Sequence, residues 1–420
     1  MRPTRFAVLA LLAAGTLRGG ALAAPTDDQV KAANDAFRAK AQELSKANQA
    51  TDDTLRAAAL DAIKGLPIEE LTAEQIDMLA SALSNADDRT KAAAIARLET
   101  FANANDLSGL NAATLILSFM DEDKTPAREQ AAALSRALRH PALHAALKEA
   151  KGLDVFMQAA GASKEAIRMA APDLKALEAS LTPDLPGRVA LMGTGLFRAL
   201  VNMGEEGAAL RESFRGRFLA IAKNAGATAP EDQKARYASA AQFFDGAFAK
   251  GTLIGAPAPQ LSIAWSSDPT IKSLADLKGK VVVIDFWATW CGPCIRSFPN
   301  IREMLARYEG YPVAVVGVTS AQGYVISRDG RVDTKGTPDK EYAMMPAVME
   351  WRGMTWPVVF TEQNVFNPDF GVVGIPHVAI LDPSGKVRYN GLHPARPLEE
   401  KAEKIDALLR EAGLATPPKI

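Results

Sequence analysis

The chain has 420 residues, with 48 basic against 49 acidic side chains, 48% hydrophobic residues and two cysteines. Near-zero net charge argues against a nucleic-acid or polyanion partner, and two cysteines cannot staple a small scaffold. The length is ample for two or more ordinary cores.

Residues 1–23 carry Arg2 and Arg5, an apolar run from Phe6 to Leu17, and Ala21-Leu22-Ala23 as a small-residue cleavage site. This is the layout of a secretory signal peptide. The run is about 12 residues, against the ~20 a membrane span needs, and Arg18 ends it. The expectation is a soluble, periplasmic protein; an uncleaved N-terminal anchor is the alternative.

Residues 24–250 are rich in Ala, Leu, Lys, Glu and Asp, and lack tryptophan, cysteine and strand-type alternation. They read as all helix. Thr51-Asp52-Asp53, Thr72-Ala73-Glu74 and Asp87-Asp88 stand where helix N-caps belong. Ala57-Ala58-Ala59-Leu60 recurs as Ala92-Ala93-Ala94-Ile95 and Ala131-Ala132-Ala133-Leu134, which fits a helical-hairpin repeat as well as an irregular bundle. His140 and His144, four apart, read as surface histidines without a third metal ligand.

Gly251 to Pro259 is a Gly/Pro/Ala-rich linker, and all five tryptophans lie beyond it. The expected second domain, 251–420, alternates strands and helices. Val281 to Phe286 and Val313 to Val318 suit central strands. A helix from Ile295 to Tyr308 is kinked at Pro299, a hairpin turns at Asp329-Gly330, and a helix covers Asp339 to Trp351. Strands at Pro357–Phe360, His377–Leu381 and Val387–Tyr389 and a closing helix Leu398–Ala412 complete the pattern. The fold class is two-domain, all-α followed by α/β with a mixed central sheet.

The chemistry concentrates in Trp290-Cys291-Gly292-Pro293-Cys294, between the strand Val281–Phe286 and a helix. The first thiol of C-x-x-C stands at a helix start, where unpaired N–H groups stabilise a thiolate, so Cys291 is the nucleophile. Cys294, one turn on, can attack a mixed disulfide and resolve it. Gly292 permits close approach of a partner chain, and Pro293 suits a helix start. Zinc needs four ligands and the four histidines lack finger spacing, so no metal site is expected. Closing so short a loop would stabilise little, which favours a redox pair over a structural one.

Gly255-Ala256-Pro257-Ala258-Pro259, Ser273 to Lys280 and Ile284 to Cys294 together resemble the exported TlpA/ResA-like thioredoxin-fold thiol-disulfide oxidoreductases, over about two fifths of the chain. The helical part carries no such resemblance. The resemblance implies a cis-proline at Pro376, in Gly374-Ile375-Pro376, whose backbone takes a substrate strand beside Trp290. It implies that Asp285, a carboxylate inside an apolar strand, serves as the base for Cys294. The lysine that partners this acid in relatives has no equivalent in Val313–Val318. His377 stands where relatives carry Thr and is left outside the catalytic set.

The resulting expectation is a periplasmic disulfide reductase of protein or small thiol/disulfide substrates. It needs no cofactor, draws electrons from a membrane reductase, and has a helical part that could assemble a homo-oligomer. The alternatives are an oxidase or isomerase, and a helical adaptor whose thioredoxin-like module only binds. A peroxiredoxin is excluded, because Ala288 occupies the position where its nucleophile needs Thr or Ser.

Overall fold

The computed structural model describes residues 24–418 apart from 48 and 122; the leader read at 1–23 lies outside the described residues. From Asp27 to Lys250 the described chain forms helices joined by short turns. Thr51, Thr72 and Asp87 are N-caps, each accepting the N–H three residues on. The three alanine motifs fall in the helices Asp52–Ala62, Asp88–Phe101 and Ala127–Leu138. Ala59, Ala94 and Ala131 are buried, so these helices approach their neighbours closely. Further along, Phe156, Phe197, Phe214, Phe218, Phe243 and Phe244 make a ladder of edge-to-face and stacked rings that ends at Phe248.

His140 and His144 do not share a helix. His144 is exposed within Leu143–Lys148, whereas His140 is buried in the preceding turn. Its Nε2 meets the Ala104 carbonyl at 2.9 Å and its Nδ1 accepts the Ala142 N–H, so it closes a turn rather than facing solvent.

The rest of the chain supplies β1 (Ile263–Ser266), β2 (Val281–Phe286), β3 (Val313–Ser320), β4 (Tyr324–Ser327), β5 (Gly330–Asp333), β6 (Val358–Thr361), β7 (His377–Leu381) and β8 (Val387–Leu392). The main sheet runs β1-β6-β3-β2-β7-β8, and β4-β5 is a separate hairpin. The sheet is mixed: β2, β3 and β6 are parallel, while β1, β7 and β8 run antiparallel to their neighbours. The expected single helix from Ile295 to Tyr308 is two helices, Gly292–Arg296 and Phe298–Arg307, because Pro299 near the start of the second cannot continue the hydrogen-bond ladder.

β2 is buried along its whole length and its side chains alternate between two cores. Val281, Val283 and Trp287 pack with both cysteines and with Phe298, Met345 and Ile405 from the helices on that face. Val282, Ile284 and Phe286 join a cluster that continues through Phe370 and Phe248 into the helical part. At this junction Gly371 has φ +67°, and a Cβ there would overlap the Phe248 ring. Glycine is what lets the phenylalanine ladder seat on the sheet.

Candidate active site

β2 delivers the chain into Trp287–Trp290 and then into the helix Gly292–Arg296, with Cys291 as its N-cap. Cys291 and Cys294 form a disulfide with Cα atoms 5.3 Å apart. Cys291 Sγ accepts the Cys294 N–H at 3.2 Å. This sulfur therefore sits where backbone donors and the positive helix end stabilise a developing thiolate. Cys291 is 3% exposed and Cys294 is fully buried, so the first sulfur is the one nearer to solvent. Pro293 is exposed in the first turn. A Cβ on Gly292 would make only ordinary contact, 3.5 Å from Arg296 Nη1, so the chain's own packing leaves that side of the motif open.

Asp285 stands on the β2 face that carries Val283 and Trp287, towards the core that holds both cysteines. It is 1% exposed, and neither carboxyl oxygen has a hydrogen-bond partner among the described residues. Burial pushes its carboxyl up to about 7, opposed by the positive charge of Lys401. Lys401 lies in the closing helix Leu398–Glu411, is itself buried, and donates to the Pro394 carbonyl at 2.6 Å. Burial holds its ammonium below the usual lysine range, against the pull of Glu303, Glu400 and Asp285. The cation opposing Asp285 thus comes from the last helix and not from β3, where the resemblance places it. A lysine in an amphipathic helix ordinarily signals solvent, and the chain carries no local sign that this one points inward.

The Ile375–Pro376 peptide bond is cis. Because β7 pairs antiparallel with β2 and His377 stands opposite Phe286, Pro376 falls at the end of β2 from which the chain runs to Cys291. Ile375 is partly buried against the core that contains the cysteines. Trp290 is half-buried; its Nε1–H donates to Gln322 Oε1 at 3.3 Å and its ring lies 6.3 Å from Phe366. Gln322 is held in turn by the buried carboxylate of Glu341, which accepts the N–H groups of Gln322 and Gly323 and the hydroxyl of Thr334. The β4-β5 hairpin is tied to the motif as well, since Thr289 Oγ1 accepts the Ile326 N–H. His377 is buried, packs edge-on against Phe286 and meets Asn390 Oδ1 at 3.0 Å.

Residues 253–409 match the Redoxin family. The thioredoxin-like protein YneN of Bacillus subtilis is 28% identical over 152 residues, 36% of this chain and 78% of that protein. The thiol-disulfide oxidoreductase ResA of Bacillus subtilis is 26% identical over 133 residues, 32% of this chain and 64% of its own. ResA of Geobacillus thermodenitrificans is 29% identical over 115 residues, 27% of this chain and 56% of its own. The match thus spans less than two thirds of either ResA protein. The C-terminal part of the chain is a Redoxin domain with the thioredoxin fold, similar to these thiol-disulfide oxidoreductases.

Proposed function

We propose that this chain is an exported, periplasmic thiol-disulfide oxidoreductase that works as a protein-disulfide reductase. It is divided into a leader (1–23), a helical domain (24–250) and a catalytic domain (251–420). The observation that carries the reading is the placement of Cys291 as a helix N-cap, with a buried Asp285, without a hydrogen-bond partner among the described residues, on the same core face.

In the reduced state the Cys291 thiolate attacks one sulfur of a client disulfide. A Cys291–client disulfide forms, the client's S–S bond breaks, and its second sulfur leaves as a thiolate that takes a proton. Asp285 then accepts the Cys294 proton, directly or through water, and the Cys294 thiolate attacks Cys291 Sγ. The client departs as a dithiol and the enzyme is left as the Cys291–Cys294 disulfide. Two electrons from a membrane reductase reset the pair, and the cycle asks for no cofactor. Trp290, Gly292, Pro293 and the backbone at Ile375-Pro376 form the surface on which a client strand lies.

Two measurements test this. A Cys294→Ser variant should accumulate a client mixed disulfide at Cys291, visible by non-reducing electrophoresis and mass spectrometry; its absence with reduced enzyme and oxidised client refutes the exchange chemistry. Equilibration of the wild type in dithiothreitol or glutathione buffers, followed by tryptophan fluorescence with Trp287 and Trp290 as the reporters, should give a potential near −270 mV, about that of thioredoxin. A value near roughly −120 mV overturns the reductase direction in favour of an oxidase or isomerase.

A further inference from the structure

The turn between the helices Asp27–Lys46 and Asp52–Ala62 lies against the redox helix, although about 240 residues separate them in the chain. Between them is an open cleft of about 500 Å³. Ser45 and Asp52 line one side; Gly292, Arg296, Arg302 and Arg352 line the other. Arg352 Nη1 donates to the Ser45 carbonyl at 2.6 Å and holds the turn in place. Arg302 Nη1 donates to the Gly353 carbonyl at 3.1 Å, at the end of the helix Pro338–Arg352. Arg296 reaches back along its own helix to Gly292, between the cysteines.

The charges in this cleft do not cancel. Arg296, Arg302 and Arg352 face the single carboxylate of Asp52, three positive against one negative. None of the three guanidinium groups makes an ion pair among the described residues, whereas Arg307 and Arg396 of the same domain do. Arg352 is 2% exposed, and burial alone lowers its guanidinium to about 10. Arg296 is also lowered by burial, and Asp52 only partly offsets this. Partly desolvated cations without counter-ions are costly, and a bound anion would relieve that cost.

Building on the disulfide-exchange reading, we propose that this cleft is a client-recognition site. It takes an extended polypeptide segment whose Asp or Glu side chains, close to the reacting cysteine, dock on Arg296 and Arg302. The helical domain is then one wall of the substrate site. Arg296 and Arg302 set specificity, and Arg352 positions the wall.

The test uses the full-length reduced protein and two matched disulfide peptides, one with Asp/Glu and one with Asn/Gln flanking its cysteines. Wild type should favour the acidic peptide in kcat/KM by roughly three- to tenfold, the range expected of partly exposed charge pairs. Arg302→Gln, a half-buried site, should lower the ratio measurably towards 1 with Arg296 holding the remainder, Asp52→Asn should raise it, and 0.5 M salt should compress it. A wild-type ratio of 1, or a ratio unmoved by Arg302→Gln, overturns the proposal while leaving disulfide exchange standing. Oxidised glutathione reacting as fast as the acidic peptide and losing as much in Arg302→Gln would overturn it in favour of small anionic disulfides. Reduction of neither peptide would instead bring down the exchange reading on which it rests.

Discussion

Replacing Asp285 by Asn keeps the shape of the side chain and removes its ionisation, and the consequence depends on pH. In the folded chain the Asp285 carboxyl is raised from 3.8 to about 7 by burial. Below pH ~4 both folded and unfolded states hold the proton, and the group adds no pH-dependent term. As pH rises further the unfolded carboxyl ionises while the folded one does not, so folding is progressively penalised. The penalty is complete above pH ~7, where the folded carboxyl ionises as well. Three pH units of separation correspond to about 4 kcal/mol. Asp285→Asn should therefore gain stability relative to wild type by up to about 4 kcal/mol between pH 4 and 7.5, with no further change to pH 9. Urea denaturation of the oxidised proteins at several pH values measures this. The same variant should slow release of the client from the Cys291 mixed disulfide by roughly 10²-fold or more, the scale of general-base catalysis, and flatten its pH profile. Stability curves that run parallel from pH 4 to 8, together with an unchanged release rate, would refute both the buried acid and its role.

Lys401→Met removes the cation that opposes the rise at Asp285, so the Asp285 titration, followed by carboxyl ¹³C NMR, should move above 7; an unchanged midpoint would mean that the two charges do not interact. Glu341→Ala leaves the N–H groups of Gln322 and Gly323 and the Thr334 hydroxyl without their acceptor, and should cost about 1–3 kcal/mol in urea denaturation while altering Trp290 emission through Gln322. Gly371→Ala adds a Cβ that overlaps the Phe248 ring at a positive φ, and should destabilise by roughly 2–4 kcal/mol; Phe248→Ala should absorb much of that loss in the double mutant.

The candidate site was legible where its signals are local. C-x-x-C at a helix start, a valine-rich strand leading into it and a carboxylate inside that strand are all read from neighbouring residues. β2 and β7 fall where the apolar runs placed them, and the hairpin turns close to Asp329-Gly330. β1 was not read, since four residues at a sheet edge, none of them fully buried, carry little pattern. His140 and Lys401 were misplaced or missed for a different reason. Each is polar on a helix or turn, and its burial is decided by elements 36 residues away in one case and more than 100 in the other. Tertiary burial of a lone polar side chain leaves no periodicity to find.

The seating of the helical part on the Redoxin domain follows from the same long-range packing. One attachment is apolar: the phenylalanine ladder ends with Phe248 over Gly371, continuous with the core on one face of the sheet. The second is polar: Arg352, buried at the end of a helix on the opposite face, donates to the Ser45 carbonyl. A third contact, Arg396 to Asp123, is exposed on both sides and is worth at most about 1 kcal/mol. A hydrogen bond from a buried guanidinium is worth more, about 1.5–3 kcal/mol, so Arg352 rather than Arg396 is the polar anchor. With attachments on both faces, the helical part reaches around the domain and brings the turn before Asp52 to the rim of the disulfide. On the proposed exchange chemistry, a client sulfur that approaches Cys291 along this cleft passes that turn. Loosening the Arg352 anchor should therefore change which clients react before it changes the chemistry of the sulfurs.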